Sequence, residues 1–397
     1  MVIRETRRGP VIGGAVAAAL VLLAPGQATA GTPGWEAMTT PNPGTGHNVL
    51  YDVSGTSATD VWAVGQYEVR PHIPRYPVAV HWDGDAWRTT EVPVPAGMTD
   101  VDLSAVAAVA PDDVWAVGSA GGASGPSTTS LITHWDGSSW QLVPGPDLGG
   151  SNGISRLTGV AAAGPDDVWA VGYVHQDAVS RPVAQHWDGR AWTVVPVPAP
   201  GAGHSRLSSV AARSSDDVWA VGYAPSRSPG HVLEPYVLHW DGRAWSRVDT
   251  PNGGAEGTWL TDVAIGPSGE VWATGAWRWR TWAGSLTSKA AVMRYNGSTW
   301  SYVNVPSFDI EGTSVGDVAV AADGDVWLTG SSRTGESFAR LSQGTWRLVE
   351  GADPPAWAGP AHEGLAVVGG RVWMVGSVVP SGDDINSRTY AERSPVG

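Results

Sequence analysis

Short apolar runs, each closed by Gly, Pro, Asp or Asn, recur along the chain, and none keeps the three-to-four-residue spacing of an amphipathic helix. The clearest reads Asp-Val-Trp-Ala-Val-Gly at Trp62, Trp115, Trp169 and Trp219. It drifts to Glu-Val-Trp-Ala-Thr-Gly at Trp272, Asp-Val-Trp-Leu-Thr-Gly at Trp327 and Arg-Val-Trp-Met-Val-Gly at Trp373. Successive copies lie 53, 54, 50, 53, 55 and 46 residues apart, the period of one four-stranded blade rather than of a helical solenoid unit.

A second motif follows each of the first four copies by about 20 residues: His-Trp-Asp-Gly and a further Trp, at His81–Trp87, His134–Trp140, His186–Trp192 and His239–Trp245. Asp-Gly between apolar runs predicts a hairpin, because Gly tolerates positive φ and Asp accepts local backbone hydrogen bonds. Arg294-Tyr295-Asn296-Gly297 up to Trp300, and Arg340 to Gly344 up to Trp346, hold the same place later. Each unit thus predicts four strands: an inner one such as 207–212, the Val-Trp strand, a strand ending at His-Trp, and an outer one such as 244–248.

The seventh repeat lacks an outer strand before Gly397, whereas Gly34-Trp35-Glu36-Ala37-Met38 has the outer-strand pattern with no blade before it. The fold class expected is all-β: a seven-bladed β-propeller whose ring is closed by the N-terminal strand completing blade 7. Its parts are a signal peptide over 1–30 and a propeller over 31–397. Residues 31–43 supply the outer strand of blade 7, and the blades cover approximately 44–97, 98–149, 150–200, 201–251, 252–306, 307–351 and 352–397.

Residues 1–30 carry Arg4, Arg7 and Arg8, an apolar run from Val11 to Ala24 and a small-residue end at Ala28-Thr29-Ala30, the form of a cleaved secretory leader. The run is short for a membrane span, so a secreted, extracellular protein without membrane insertion is expected. There is no cysteine, which removes disulfides, thiolate metal sites and thiol nucleophiles. The formal charge of −14 leaves no expectation of nucleic-acid binding. Neutral sugars, cations or a basic partner suit such a surface.

Of the 23 tryptophans, those in the two motifs and at the outer-strand starts recur in register, as packing between blades requires. The histidines at 81, 134, 186 and 239 read as structural hydrogen-bonders, since Arg294, Arg340 and Arg393 stand in their places. Five tryptophans are out of register: Trp259, Trp277, Trp279, Trp282 and Trp357. Trp277, Trp279 and Trp282 are expected in the loop between the second and third strands of blade 5. Trp259 and Trp357 are expected in the connections entering blades 5 and 7. With Arg278, Arg280 and His362 as polar partners they form the candidate ligand site, on loops that vary in length and content.

Aromatic faces flanked by guanidinium groups suit stacking on a sugar ring, and the same residues suit a protein interface or a local mini-core. One asymmetric site is favoured over seven equivalent ones, because the loops after Tyr67, Gly118 and Gly222 share little. No catalytic residue is assigned and the module is expected to be non-enzymatic. A secreted glycan-acting hydrolase or lyase would need paired carboxylates, for which Glu256, Asp309, Glu311 and Glu363 are placed in the connections between blades. No cofactor or metal is expected; the repeated Asp-Asp turns offer carboxylates for calcium, but turns select Asp for backbone reasons first.

The glycine after the second strand and the two aromatics around a hairpin, here Gly65 with Trp82 and Trp87, resemble the kelch and galactose-oxidase propellers. A single Gly stands where kelch has two, and copper-radical chemistry is excluded because it needs a cysteine. Pro-Asp-Asp-Val-Trp-Ala-Val-Gly and His-Trp-Asp-Gly-Arg-Ala-Trp more closely resemble the secreted, tryptophan-rich bacterial propeller lectins, some of which are lectin subunits of umbrella toxin particles. That resemblance implies recognition of a cell-surface glycan or polysaccharide, with protein subunits of a secreted assembly as further partners. The alternative is a protein-interaction subunit of a larger, toxin-type complex.

Overall fold

The computed structural model describes residues 34–70, 74–122, 127–148, 153–227, 232–254, 256–282, 284–308, 313–332, 335–352, 357–380 and 386–395. The leader expected over 1–30, and the carboxylates Asp309 and Glu311, lie outside them. The strands run in the order β1 (Glu36–Met38); β2 to β5 (Asn48–Ser57, Asp60–Glu68, Arg75–Trp82, Trp87–Thr90); and β6 to β9 (Met98–Ala110, Asp113–Gly122, Thr128–Trp135, Trp140–Leu142). Next come β10 to β13 (Ile154–Gly164, Asp167–Gln176, Val179–Trp187, Trp192–Val194) and β14 to β17 (Arg206–Ser214, Asp217–Pro225, Leu233–Trp240, Trp245–Val248). Then follow β18 to β21 (Gly257–Ile265, Val271–Arg280, Leu286–Tyr295, Trp300–Tyr302), β22 to β25 (Ser314–Val320, Val326–Ser332, Gly335–Ser342, Thr345–Val349) and β26 to β28 (Trp357–Val368, Arg371–Pro380, Arg388–Arg393).

The architecture is all-β and propeller-like, built of antiparallel meanders of four strands. β2 to β5, β14 to β17, β18 to β21 and β22 to β25 each form one sheet in chain order. β6 to β9 and β10 to β13 share an eight-stranded sheet through one parallel contact, Ile154 with Thr128. β1 lies outside β28 in the sheet β1-β28-β27-β26, with Glu36 opposite Arg393 and Met38 opposite Ala391.

The apolar core lies between sheets rather than within one. Trp62 packs with Val101, Leu103 and Trp140 of the following unit, and Trp373 packs with Leu50, Trp82 and Trp87. The motif tryptophans at 62, 115, 169, 219, 272, 327 and 373 are all buried. The first strand of each meander carries a β-bulge where it meets the motif glycine: a Cβ on Gly65 would stand 2.0 Å from the Val49 carbonyl oxygen, and one on Gly118 2.0 Å from that of Asp102. The glycine of the repeat is therefore a close-approach residue, with no positive φ involved. The Asp-Gly hairpins do use positive φ: Gly84 sits at +97°, while Asp83 Oδ1 accepts from the Asp85 and Ala86 amides at 3.0 and 2.9 Å.

Candidate functional site

Two hollows hold the candidate chemistry: one follows from how β19 ends, the other from the bulges of the first strands. At the end of β19, Trp277 and Trp279 share one face of the strand while Arg278 and Arg280 share the other, because side chains alternate along a strand. Trp277 stacks on Tyr302 of β21, with ring centroids 5.1 Å apart and planes 26° off parallel, and Lys289 Nζ lies 5.5 Å from its centroid. Its ring also lies against Gly253, where a Cβ would clash at 1.9 Å. Trp277, Tyr302, Lys289, Asn304 and Phe308 line a hollow of about 240 Å³. An indole face, a phenol, an ammonium and an amide around such a volume can stack on one apolar ring face and hydrogen-bond its polar edge.

On the opposite face, Arg278 Cζ sits 4.2 Å over the Trp259 ring, and Arg280 pairs with Glu256 at 2.8 Å. The expected cluster is thus divided across two faces of one sheet. The expected placement is corrected for several residues. Trp277 and Trp279 belong to β19, which extends to Arg280, and Trp259 belongs to β18; only Trp282 occupies the loop, with its side chain fully exposed at 103%. Trp357 opens β26 rather than lying in a connection. The reason is that a strand continues as long as its neighbour supplies partners: Trp277 faces Thr258 and Lys289, and Arg280 faces Leu286, so pairing outlasts the repeat motif.

His362 is also corrected. It lies in β26, buried, stacked on Phe338 at 4.9 Å, with Nε2 3.5 Å from Glu392 Oε1. Burial pushes its imidazole down to about 4 and the Glu392 carboxyl up to about 8. It belongs to an interior pair rather than to the blade-5 aromatics.

The second hollow, of about 410 Å³, is lined by the first strand of every meander, and six of the seven bulges direct a side chain inward, Tyr51, Ser104, Thr158, Ser208, Thr261 and Glu363, the seventh position being Gly316. Glu363 is in β26, not in a connection as expected. Three aspartates stand beside the bulges. Asp52 Oδ2 accepts from the Val106 amide at 2.7 Å, Asp262 Oδ2 from Val318 at 2.9 Å and Asp317 Oδ2 from Leu365 at 2.6 Å, each a bond to the next meander. Burial raises Asp52 to about 7 and, with the charge of and hydrogen bond to Asp262, holds Asp317 well above the usual carboxylate range. Burial likewise raises Glu363. Among the described residues no group of three or more His, Asp or Glu is arranged to hold a metal ion.

Sequence reasoning missed these aspartates because only three of the seven equivalent positions carry one. It also missed Tyr302, Lys289 and Phe308, which reach the Trp277 hollow from three different elements. No helix among the described residues is long and apolar enough to cross a membrane.

No family model matches the chain, and no curated protein matches it. Solved structures do match its fold, which is that of β-propeller proteins. YCF48 bound to D1 peptide superposes with a TM-score of 0.54 at 13% identity, over 92% of this chain and 98% of that one. YCF48 from Cyanidioschyzon merolae gives 0.51 at 14%, over 91% and 99%. The GH74 xyloglucanase from Xanthomonas campestris gives 0.54 at 16%, over 89% of this chain and 55% of that one. The xyloglucanase overturns the expectation of a non-enzymatic module: an enzyme is built on this same fold, so the architecture gives no ground for excluding catalysis.

Proposed function

We propose that the protein is a secreted, lectin-like seven-bladed β-propeller that binds carbohydrate of a cell surface through the hollow beside Trp277. Seven blades follow if the eight-stranded sheet counts as two meanders joined by one contact. The β1–β28 pairing and the packing of Trp373 with Leu50 and Trp82 support a ring closed by the N-terminal strand. The observation that carries the glycan reading is the Trp277 ring, backed by Tyr302 and bordered by Lys289 and Asn304 in an open hollow of about 240 Å³. The measurement is a glycan array of the intact protein beside Trp277→Ala and Lys289→Gln, each checked by thermal melting. Selective binding that is lost in folded Trp277→Ala and weakened in Lys289→Gln supports the site; absence of binding by the parent protein overturns the reading.

Two other readings rest on specific observations. Trp282, fully exposed, with Leu286 also exposed nearby, supports a protein-binding prong of a secreted assembly. The 410 Å³ hollow with Glu363, Asp52, Asp262 and Asp317 supports chemistry on a glycan, since a carboxyl held protonated near neutrality can act as a general acid beside an ionised one. Release of reducing ends from plant and bacterial polysaccharides, abolished by Glu363→Gln, would establish it.

A further inference from the structure

Away from both hollows, the β11–β12 hairpin and the segment entering β14 bring together two histidines, a tyrosine and an arginine. The hairpin turns at Asp177 and Ala178, both with positive φ, which sets His175 opposite Ser180. Ser180 is the joint. Its carbonyl oxygen accepts from the Ser205 amide at 2.9 Å, its amide donates to His204 Nδ1 at 3.2 Å, and its hydroxyl lies 3.1 Å from His175 Nδ1. The two imidazoles consequently stand nearly parallel, 8° apart with centroids at 6.0 Å. Because His204 Nδ1 accepts a hydrogen bond, its neutral ring carries the proton on Nε2, which is therefore a donor on an exposed side chain.

Beside them the Arg206 guanidinium lies 4.0 Å over the Tyr173 ring. Its Nε is buried with no acceptor, and its Nη2 reaches only the Ser180 hydroxyl, at 3.5 Å. Arg156 holds the equivalent register one meander earlier, opposite Tyr173 as Arg206 is opposite Tyr223, and it is paired with Asp102 at 2.5 Å. Among the described residues Arg206 has no carboxylate partner. In a chain of formal charge −14, a planar cation fixed on an aromatic face, with no carboxylate partner among the described residues and the His204 imidazole donor nearby, can take an oxyanion on its Nη groups.

We propose that Arg206, His204 and His175 form a binding site for an oxyanion, a carboxylate or phosphate group on a ligand. The guanidinium supplies the charge and two directed donors, Tyr173 fixes its plane, and His204 Nε2 supplies a further donor. The site is separate from the Trp277 hollow and does not depend on it.

The test is calorimetric titration of the intact protein with sodium phosphate and, separately, with sodium glucuronate, at constant ionic strength. Saturable binding of at least one anion is expected. Arg206→Gln should weaken it by about tenfold or more and His204→Ala by less, whereas Arg243→Gln, which removes the same charge from an exposed hairpin, should leave it within about twofold. Binding of phosphate alone, of glucuronate alone or of both, lost in this pattern, supports the site and names the source of the anion. No saturable binding of either, or an equal loss in Arg243→Gln, overturns it. Thermal melting of each variant, with and without the anion, separates loss of binding from loss of fold, since a bound anion raises the melting temperature only where the site exists.

Discussion

His81 Nε2 lies 2.7 Å from Asp60 Oδ1, while the same imidazole stacks on Trp62 with centroids 4.3 Å apart. The histidine of the hairpin motif thus clamps the first and third residues of the strand motif. The arrangement repeats as His134 with Asp113, His186 with Asp167 and His239 with Asp217, at 2.7, 2.7 and 2.9 Å. In a later meander Arg340 replaces the histidine, pairs with Asp325 at 2.5 Å and lies 5.0 Å over Trp327. A guanidinium can therefore make both contacts. His186→Ala is expected to cost about 1–3 kcal/mol, because it leaves the half-buried Asp167 with only the Trp169 indole N–H, at 3.1 Å, as a side-chain partner, and His186→Arg less than about 1 kcal/mol. Urea unfolding of the two variants checks this; equal losses would mean that the ring contact alone matters.

The motif glycine is fixed by sterics that cannot relax. A Cβ on Gly222 would stand 2.0 Å from the Arg206 carbonyl oxygen, a backbone atom, whereas one on Gly164 would meet nothing within 4 Å. Gly222→Ala is expected to destabilise by about 3 kcal/mol or more, and Gly164→Ala to stay within about 0.5 kcal/mol of the parent. Melting temperatures of the pair decide it.

Much of this was legible in the sequence because it repeats. The strand motif, the hairpins and the inter-sheet tryptophans recur at fixed spacing, and recurrence separates packing residues from the rest. Even the His–Asp clamp could have been read, since Arg340 keeps Asp325 where the histidine is lost. The blade-5 aromatics resisted for the opposite reason. Trp259, Trp277 and Trp279 are unique to one meander, so nothing in the pattern tells whether β18 and β19 stop at the motif or run on, and pairing with Leu286 and Lys289 decides that they run on. Arg206 looks in sequence like Arg156; only the absence of an acid partner among the described residues sets it apart.

The interior carboxyls give stability a definite pH slope. Asp52, raised to about 7, Glu392, raised to about 8, and Asp317, also raised, bind protons more tightly folded than unfolded. Their contribution is complete below the unfolded values and is lost as pH rises towards the folded ones. His362, lowered to about 4, acts in the opposite direction: its contribution is lost as pH falls below its ordinary 6.5. Melting temperature should therefore fall between about pH 6 and about pH 8. In Asp317→Asn the amide can still accept from Leu365 and donate to Asp262, as the protonated acid does. It should approach the parent as pH falls towards the ordinary carboxylate value near 3.8 and melt progressively higher than the parent up to about pH 8; parallel curves would show that Asp317 does not titrate in this range.

Trp35 ties the N-terminal segment to two sheets at once. It stacks on Phe338 at 4.6 Å and meets Trp327 edge-on at 6.1 Å, while the strand beginning one residue later pairs with β28 and carries the Glu36–Arg393 ion pair at 2.8 Å. The ion pair is largely exposed on the Glu36 side and contributes little, so the ring contact and the backbone ladder hold the segment. Trp35→Ala is expected to cost about 2–4 kcal/mol and Glu36→Gln less than about 0.5 kcal/mol. Trp35→Ala should also speed hydrogen exchange at the amides of both β28, which pairs with β1, and β24, whose Phe338 the Trp35 ring covers. Exchange that changes in β28 alone would mean that β1 is only an added edge strand, with no role in joining the neighbouring meander.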